Sequence, residues 1–86
     1  MSEDDYPIVQ SDLSGRFTRD GVTVEVHIYR GEDEPKWVLE VVDEQDGSTV
    51  WDDLFPTDQS AFEEFKRTVE TEGMQVFLAN VDRRLH

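Results

Sequence analysis

The segment Val22-Thr23-Val24-Glu25-Val26-His27-Ile28-Tyr29 alternates apolar and polar side chains with period two, the pattern of a strand with one buried face. Asp20-Gly21 stands immediately before it, and both residue types tolerate the positive φ values of a type I′ hairpin turn. Closing that turn predicts a register. Phe17 faces Val24, Gly15 faces Val26 and Leu13 faces Ile28 on the apolar side, while Arg16 meets Glu25 and Thr18 meets Thr23 on the other.

Trp37-Val38-Leu39-Glu40-Val41-Val42 predicts the next strand, reached through the loop Gly31-Glu32-Asp33-Glu34-Pro35. Pairing Ile28 with Leu39 and Val26 with Val41 aligns the apolar faces and sets His27 against Glu40. A shift of two residues would instead oppose Glu25 to Glu40, a destabilising like-charge pair. The turn Glu44-Gln45-Asp46-Gly47 then leads to a short strand, Ser48-Thr49-Val50-Trp51.

After Pro56 the period changes from two to between three and four. Ala61, Phe62, Phe65 and Val69 share one helical face, Thr57 or Asp58 is the cap, Ser60 with Glu63 forms an alternative capping box, and Gly73 is the stop. Glu63 with Arg67 and Lys66 with Glu70 are expected as exposed i,i+4 pairs. Met74-Gln75-Val76-Phe77-Leu78-Ala79 is too short to classify by period. A fifth strand is preferred over the start of a second helix. The expected fold is α+β: an antiparallel meander of four strands, with that optional fifth, covered on one face by a single helix.

The chain has 86 residues, enough for one small domain. Its first dozen residues have the composition of a disordered acidic tail, which puts the domain at 13–86. Eight basic against 21 acidic residues give a net charge of −13, which argues against direct nucleic-acid or anionic-membrane binding. Residues 32–59 hold ten of those acids and one lysine. No cysteine is present, so thiolate catalysis and zinc or iron–sulfur sites with sulfur ligands are excluded. With no apolar run long enough to span a membrane, and an acidic start where a signal peptide is basic, a cytoplasmic location is expected.

Candidate chemistry is sparse. His27 opposite Glu40 is the pattern of an oriented general base, but no nucleophile accompanies it, and a surface pair on the polar face is the plainer reading. If Gly47 were the sharp-turn glycine of a calcium loop, the first ligand position would fall on Val42. Asp52, Asp53 and Asp58 are close in sequence, yet Asp58 is equally explained by the helix it begins. No phosphate-binding loop, dinucleotide fingerprint or nucleophile elbow occurs. Neither an enzyme, a cofactor nor a metal is expected.

A two-residue turn at Asp46-Gly47 sets Trp51 opposite Val42. The outward face of the sheet then carries Tyr29, Val38, Val42 and Trp51 among Arg16, His27 and Glu40. Aromatic and apolar side chains ringed by charge suit a binding surface, which makes these four the candidate partner-binding residues; the alternatives are a longer turn that rotates Trp51 into the core, or Tyr6-Pro7-Ile8-Val9 folded back over the patch. The expected function is that of a noncatalytic interaction or accessory domain meeting a protein partner or a second copy of itself. An acidic nucleic-acid mimic that inhibits a basic protein, and a minor enzyme or divalent-ion role, are the alternatives.

Through Trp37-Val38-Leu39-Glu40-Val41-Val42-Asp43, Ser48-Thr49-Val50-Trp51-Asp52-Asp53, Phe55 and Thr57-Asp58, the chain resembles a group of small uncharacterised bacterial proteins. The resemblance covers about half the chain. It implies a compact bacterial α+β domain and carries no functional residues.

Overall fold

The computed structural model describes residues 7–45 and 47–78, together with the backbone of 83–85. The strands are β1 (Ile8–Gln10), β2 (Gly15–Arg19), β3 (Val22–Gly31), β4 (Val38–Asp43), β5 (Ser48–Trp51) and β6 (Arg83–Leu85), and the helix α1 (Asp58–Glu72) is followed by a 3-10 turn at Met74–Phe77. The six strands form one sheet in the order β1-β3-β4-β5-β6, with β2 also on β3. All pairings are antiparallel except that of β5 with β6. The fold is α+β, with the helix packed on the sheet.

Asp20 and Gly21 adopt φ values of 54° and 78°, as the expected hairpin turn requires. The pairs Gly15–Val26, Arg16–Glu25, Phe17–Val24 and Thr18–Thr23 follow from it. Between β3 and β4 the pairs Ile28–Leu39, Val26–Val41 and His27–Glu40 stand as the alternation predicts. Trp37 is detached from β4. It forms a separate bridge with Phe55, each backbone N–H donating to the other's carbonyl at 2.8 and 2.9 Å.

The expected tail does not extend to residue 12, because Ile8–Gln10 pairs with Tyr29–Gly31; residues 1–6 lie outside the described residues. β1 and β2 lie along the same edge of β3. Residues 11–14 bridge a stretch that only His27 and Ile28 span on β3. An excess of two residues leaves the faces of both strands in phase. It also pushes Leu13 out of its expected pairing with Ile28, so that Leu13 is exposed. Ser14 Oγ takes over the vacated ladder position, accepting from the Ile28 N–H at 2.9 Å and donating to the Ile28 carbonyl at 3.2 Å. Ser11 Oγ donates to Asp58 Oδ2 at 2.7 Å, which fastens the same loop to the start of α1.

Thr57 caps α1. Its Oγ1 accepts from the Ser60 N–H at 3.0 Å, and its own N–H donates to Ser60 Oγ at 3.3 Å, so Ser60 closes the box as the N3 residue. Gly73 ends the helix with φ of 82°, a conformation glycine accepts without strain. Ala61, Phe65 and Val69 are buried against Val24, Val26, Ile28, Leu39 and Val41, and Phe62 is half-buried. Phe65 is central. Phe17 meets its ring edge-on at 4.9 Å, and Phe77 stacks on it at 5.8 Å. Met74–Phe77 is neither the preferred strand nor an extended helix. The turn tucks Met74 and Phe77 into the core. Arg67 pairs with Glu64 at i,i+3, with N–O distances of 2.6 and 2.9 Å, rather than with Glu63.

Trp51 requires a correction. It is 2% exposed and packs in the core, its ring 6.3 Å from that of Phe77. The observed pairs are Val42–Ser48, Val41–Thr49 and Glu40–Val50, a shift of three residues from the two-residue turn at Asp46-Gly47. An odd shift exchanges the two faces of a strand. The longer connection closes at Asp43, whose N–H donates to the Gly47 carbonyl and whose Oδ1 accepts from the N–H groups of Gln45 and Gly47, both at 2.8 Å.

Candidate functional site: the open face of the sheet

The helix and the 3-10 turn cover one side of the sheet. On the other, strand alternation leaves Ile8 and Gln10 from β1, Glu25, His27 and Tyr29 from β3, Val38, Glu40 and Val42 from β4, and Val50 from β5. Among the described residues, no helix packs on this side. Tyr29, Val38, Val42 and Val50 are half-buried by their neighbours, and Ile8 is 51% exposed.

Three of the four expected patch residues therefore share this face. Tyr29 and Val38 are direct cross-strand partners, and Val42 lies further along β4 on the same side. Ser48 occupies the outward position opposite Val42 that the shorter turn had assigned to Trp51, and Val50 faces outward opposite Glu40. Ile8 joins the face from the edge strand β1, whereas composition predicts a tail there and the apolar Tyr6-Pro7-Ile8-Val9 suggests a cover folded over the patch. The sequence signal for this strand is the apolar pair Ile8-Val9 inside a polar stretch.

Two shallow depressions cross the face and share Gln10 and His27. One, of about 320 Å³, is lined by Ile8, Gln10, His27, Tyr29, Glu40 and Val42. The other, of about 690 Å³, runs beside the β1–β2 break past Ser14, Arg16 and Glu25. The face thus has an apolar end and a polar end.

His27 and Glu40 are opposite one another in register but do not form the expected pair. His27 Nε2 turns to Glu25 Oε1 at 3.6 Å, and Arg16 approaches the other oxygen of Glu25 at 3.7 Å. The Glu40 carboxylate instead accepts from the Tyr29 hydroxyl at 3.3 Å and the Ser48 hydroxyl at 2.8 Å. Burial, with the Glu40 charge and hydrogen bond adding to it, raises the Tyr29 phenol above its ordinary pKa.

No group of three or more His, Asp or Glu side chains converges as a metal site among the described residues. Asp58 is engaged by Ser11. Asp43 is buried, with Oδ1 filled by two backbone donors and Oδ2 without a hydrogen-bond partner among the described residues. No helix among the described residues is long and apolar enough to cross a membrane. No family model, no curated protein and no solved structure matches this chain.

Proposed function

We propose that this chain is a noncatalytic, cytoplasmic interaction domain that meets a protein partner with the open face of its sheet. The carrying observation is the asymmetry of the two faces: one is closed by α1, while the other presents Ile8, Tyr29, Val38, Val42 and Val50 interleaved with Glu25, His27 and Glu40. Aromatic and apolar side chains interleaved with charge on an uncovered face have the make-up of an interface. The partner is a protein with a basic surface rather than a second copy, since two chains of charge −13 repel each other.

The test compares affinity capture by the native chain with capture by Ile8→Asp and Val42→Thr, both on the open face, and by Glu63→Gln on the exposed side of α1. Hydrogen exchange on the captured complex supplies the footprint. Loss of the partner in the two face variants alone, with protection across β3 and β4, is the expected result. A partner that all three variants retain, or protection confined to α1, would overturn the reading.

A further inference from the structure

We infer that Glu40, walled by Tyr29, Ile8 and Val42, is a seat for one arginine side chain of the partner protein; this rests on the open face being the interaction surface. Glu40 is half-buried on that face and lines the depression of about 320 Å³. Its carboxylate holds only two hydroxyl hydrogen bonds, one on each oxygen, and meets no cation among the described residues. His27, opposite Glu40 in register, is turned away to Glu25, which also receives Arg16. A carboxylate has about four lone-pair positions, so each oxygen of Glu40 still has room for another donor.

That remaining capacity matches a guanidinium, which presents two parallel N–H groups to a carboxylate and stacks its plane on an aromatic ring. Tyr29 supplies the ring beside the carboxylate, and Ile8 and Val42 supply apolar surface for the methylene stem. The Tyr29 and Ser48 hydroxyls hold the carboxylate in place before the cation arrives. Less ordering is then required on binding. Lysine would satisfy the charge but not the planar, two-donor geometry.

The probe is the acetylated, amidated peptide Val-Val-Arg-Val-Val, with matched peptides carrying lysine or citrulline at the centre and free L-arginine as a further arm. Titrations are followed by amide shifts in the isotope-labelled full chain. The arginine peptide is expected to move the amides of Tyr29, Glu40 and Ser48, and to bind at least about tenfold more tightly than the citrulline peptide and several-fold more tightly than the lysine peptide. Glu40→Gln, which keeps an acceptor for Ser48, is expected to abolish that preference, and Glu34→Gln in the exposed loop to leave it intact. Shifts centred on residues 32–34, an arginine preference surviving in Glu40→Gln, or free arginine binding as tightly as the peptide would overturn the seat. If those results appear while Ile8→Asp and Val42→Thr still lose the captured partner, the seat fails and the interaction surface stands.

Discussion

The indole Nε1–H of Trp51 donates to Glu64 Oε2 across 3.2 Å, joining the end of β5 to the second turn of α1. The ring itself lies in the core, so one residue both fills apolar volume and reaches a half-buried carboxylate at the margin. Arg67 grips the same carboxylate through both of its oxygens. Replacing Trp51 by Phe keeps most of the ring and removes the donor, which is expected to cost about 1 kcal/mol, whereas Trp51→Ala is expected to cost about 3 to 5 kcal/mol through the cavity it leaves. Urea unfolding of the two variants checks the order and the size of the gap.

Glu64 makes stability depend on acid. Its pKa is lowered chiefly by the hydrogen bond from Arg67, with the Trp51 indole, the charge of Arg67 and Thr68 adding to it and burial opposing it. A carboxylate with a depressed folded-state pKa contributes stability that is fully present above the ordinary carboxylate range and lost as pH falls through the folded value. The urea midpoint is therefore expected to fall less between about pH 7 and about pH 3 in Glu64→Gln than in the native chain. Equal slopes would show that this carboxylate is not held as described.

Tyr29 acts at the alkaline end. Its raised pKa favours the neutral phenol in the folded state, so the stability it contributes is complete below the ordinary phenol value and is lost as pH rises through the folded one. Tyr29→Phe has no phenol to ionise. Between about pH 9 and about pH 11.5 it is expected to lose less stability than the native chain, as thermal unfolding monitored by circular dichroism will show.

Ser14 stands in for a missing backbone partner. Ser14→Ala leaves the N–H of Ile28, a fully buried residue, without its acceptor, at an expected cost of about 1 to 3 kcal/mol. Hydrogen exchange at the Ile28 amide is expected to accelerate while that at Val26 is little changed. Unaltered exchange at Ile28 would show that another group satisfies the amide.

Asp43 governs the β4–β5 connection. Asp43→Ala removes the acceptor shared by the N–H groups of Gln45 and Gly47, and is expected to cost about 1 to 2 kcal/mol. Asp43→Asn keeps a carbonyl acceptor and is expected to be the milder change. Chemical denaturation of the pair tests this, and equal stability of both variants and the native chain would remove Asp43 from its place in the turn.

Local chemistry made much of the fold legible. Asp20-Gly21 admits one tight turn, the Val22–Tyr29 alternation has only one apolar face, and the charges on Arg16, Glu25, His27 and Glu40 discriminate between shifted pairings, so two hairpin registers follow from neighbouring residues alone. The helix is equally local: a capping threonine, apolar steps of three and four, and a terminal glycine. These are contacts between residues close in sequence, or cross-strand pairs set by one turn.

What the linear pattern left undecided was settled by contacts between distant segments. Ile8–Gln10 becomes a strand only because β3 runs past β2 and offers an edge, with Ser14 closing the gap between them. Met74–Phe77 turns inward because Phe65 offers its ring. Trp51 lies inside because the Asp43 carboxylate shifts the β4–β5 pairing by an odd number of residues, and the core beneath α1 has room for an indole with Glu64 at its edge. The alternation in a strand determines which residues share a face. Which face meets the core depends on a register that one side chain at a turn can change, and only the packed structure reveals it.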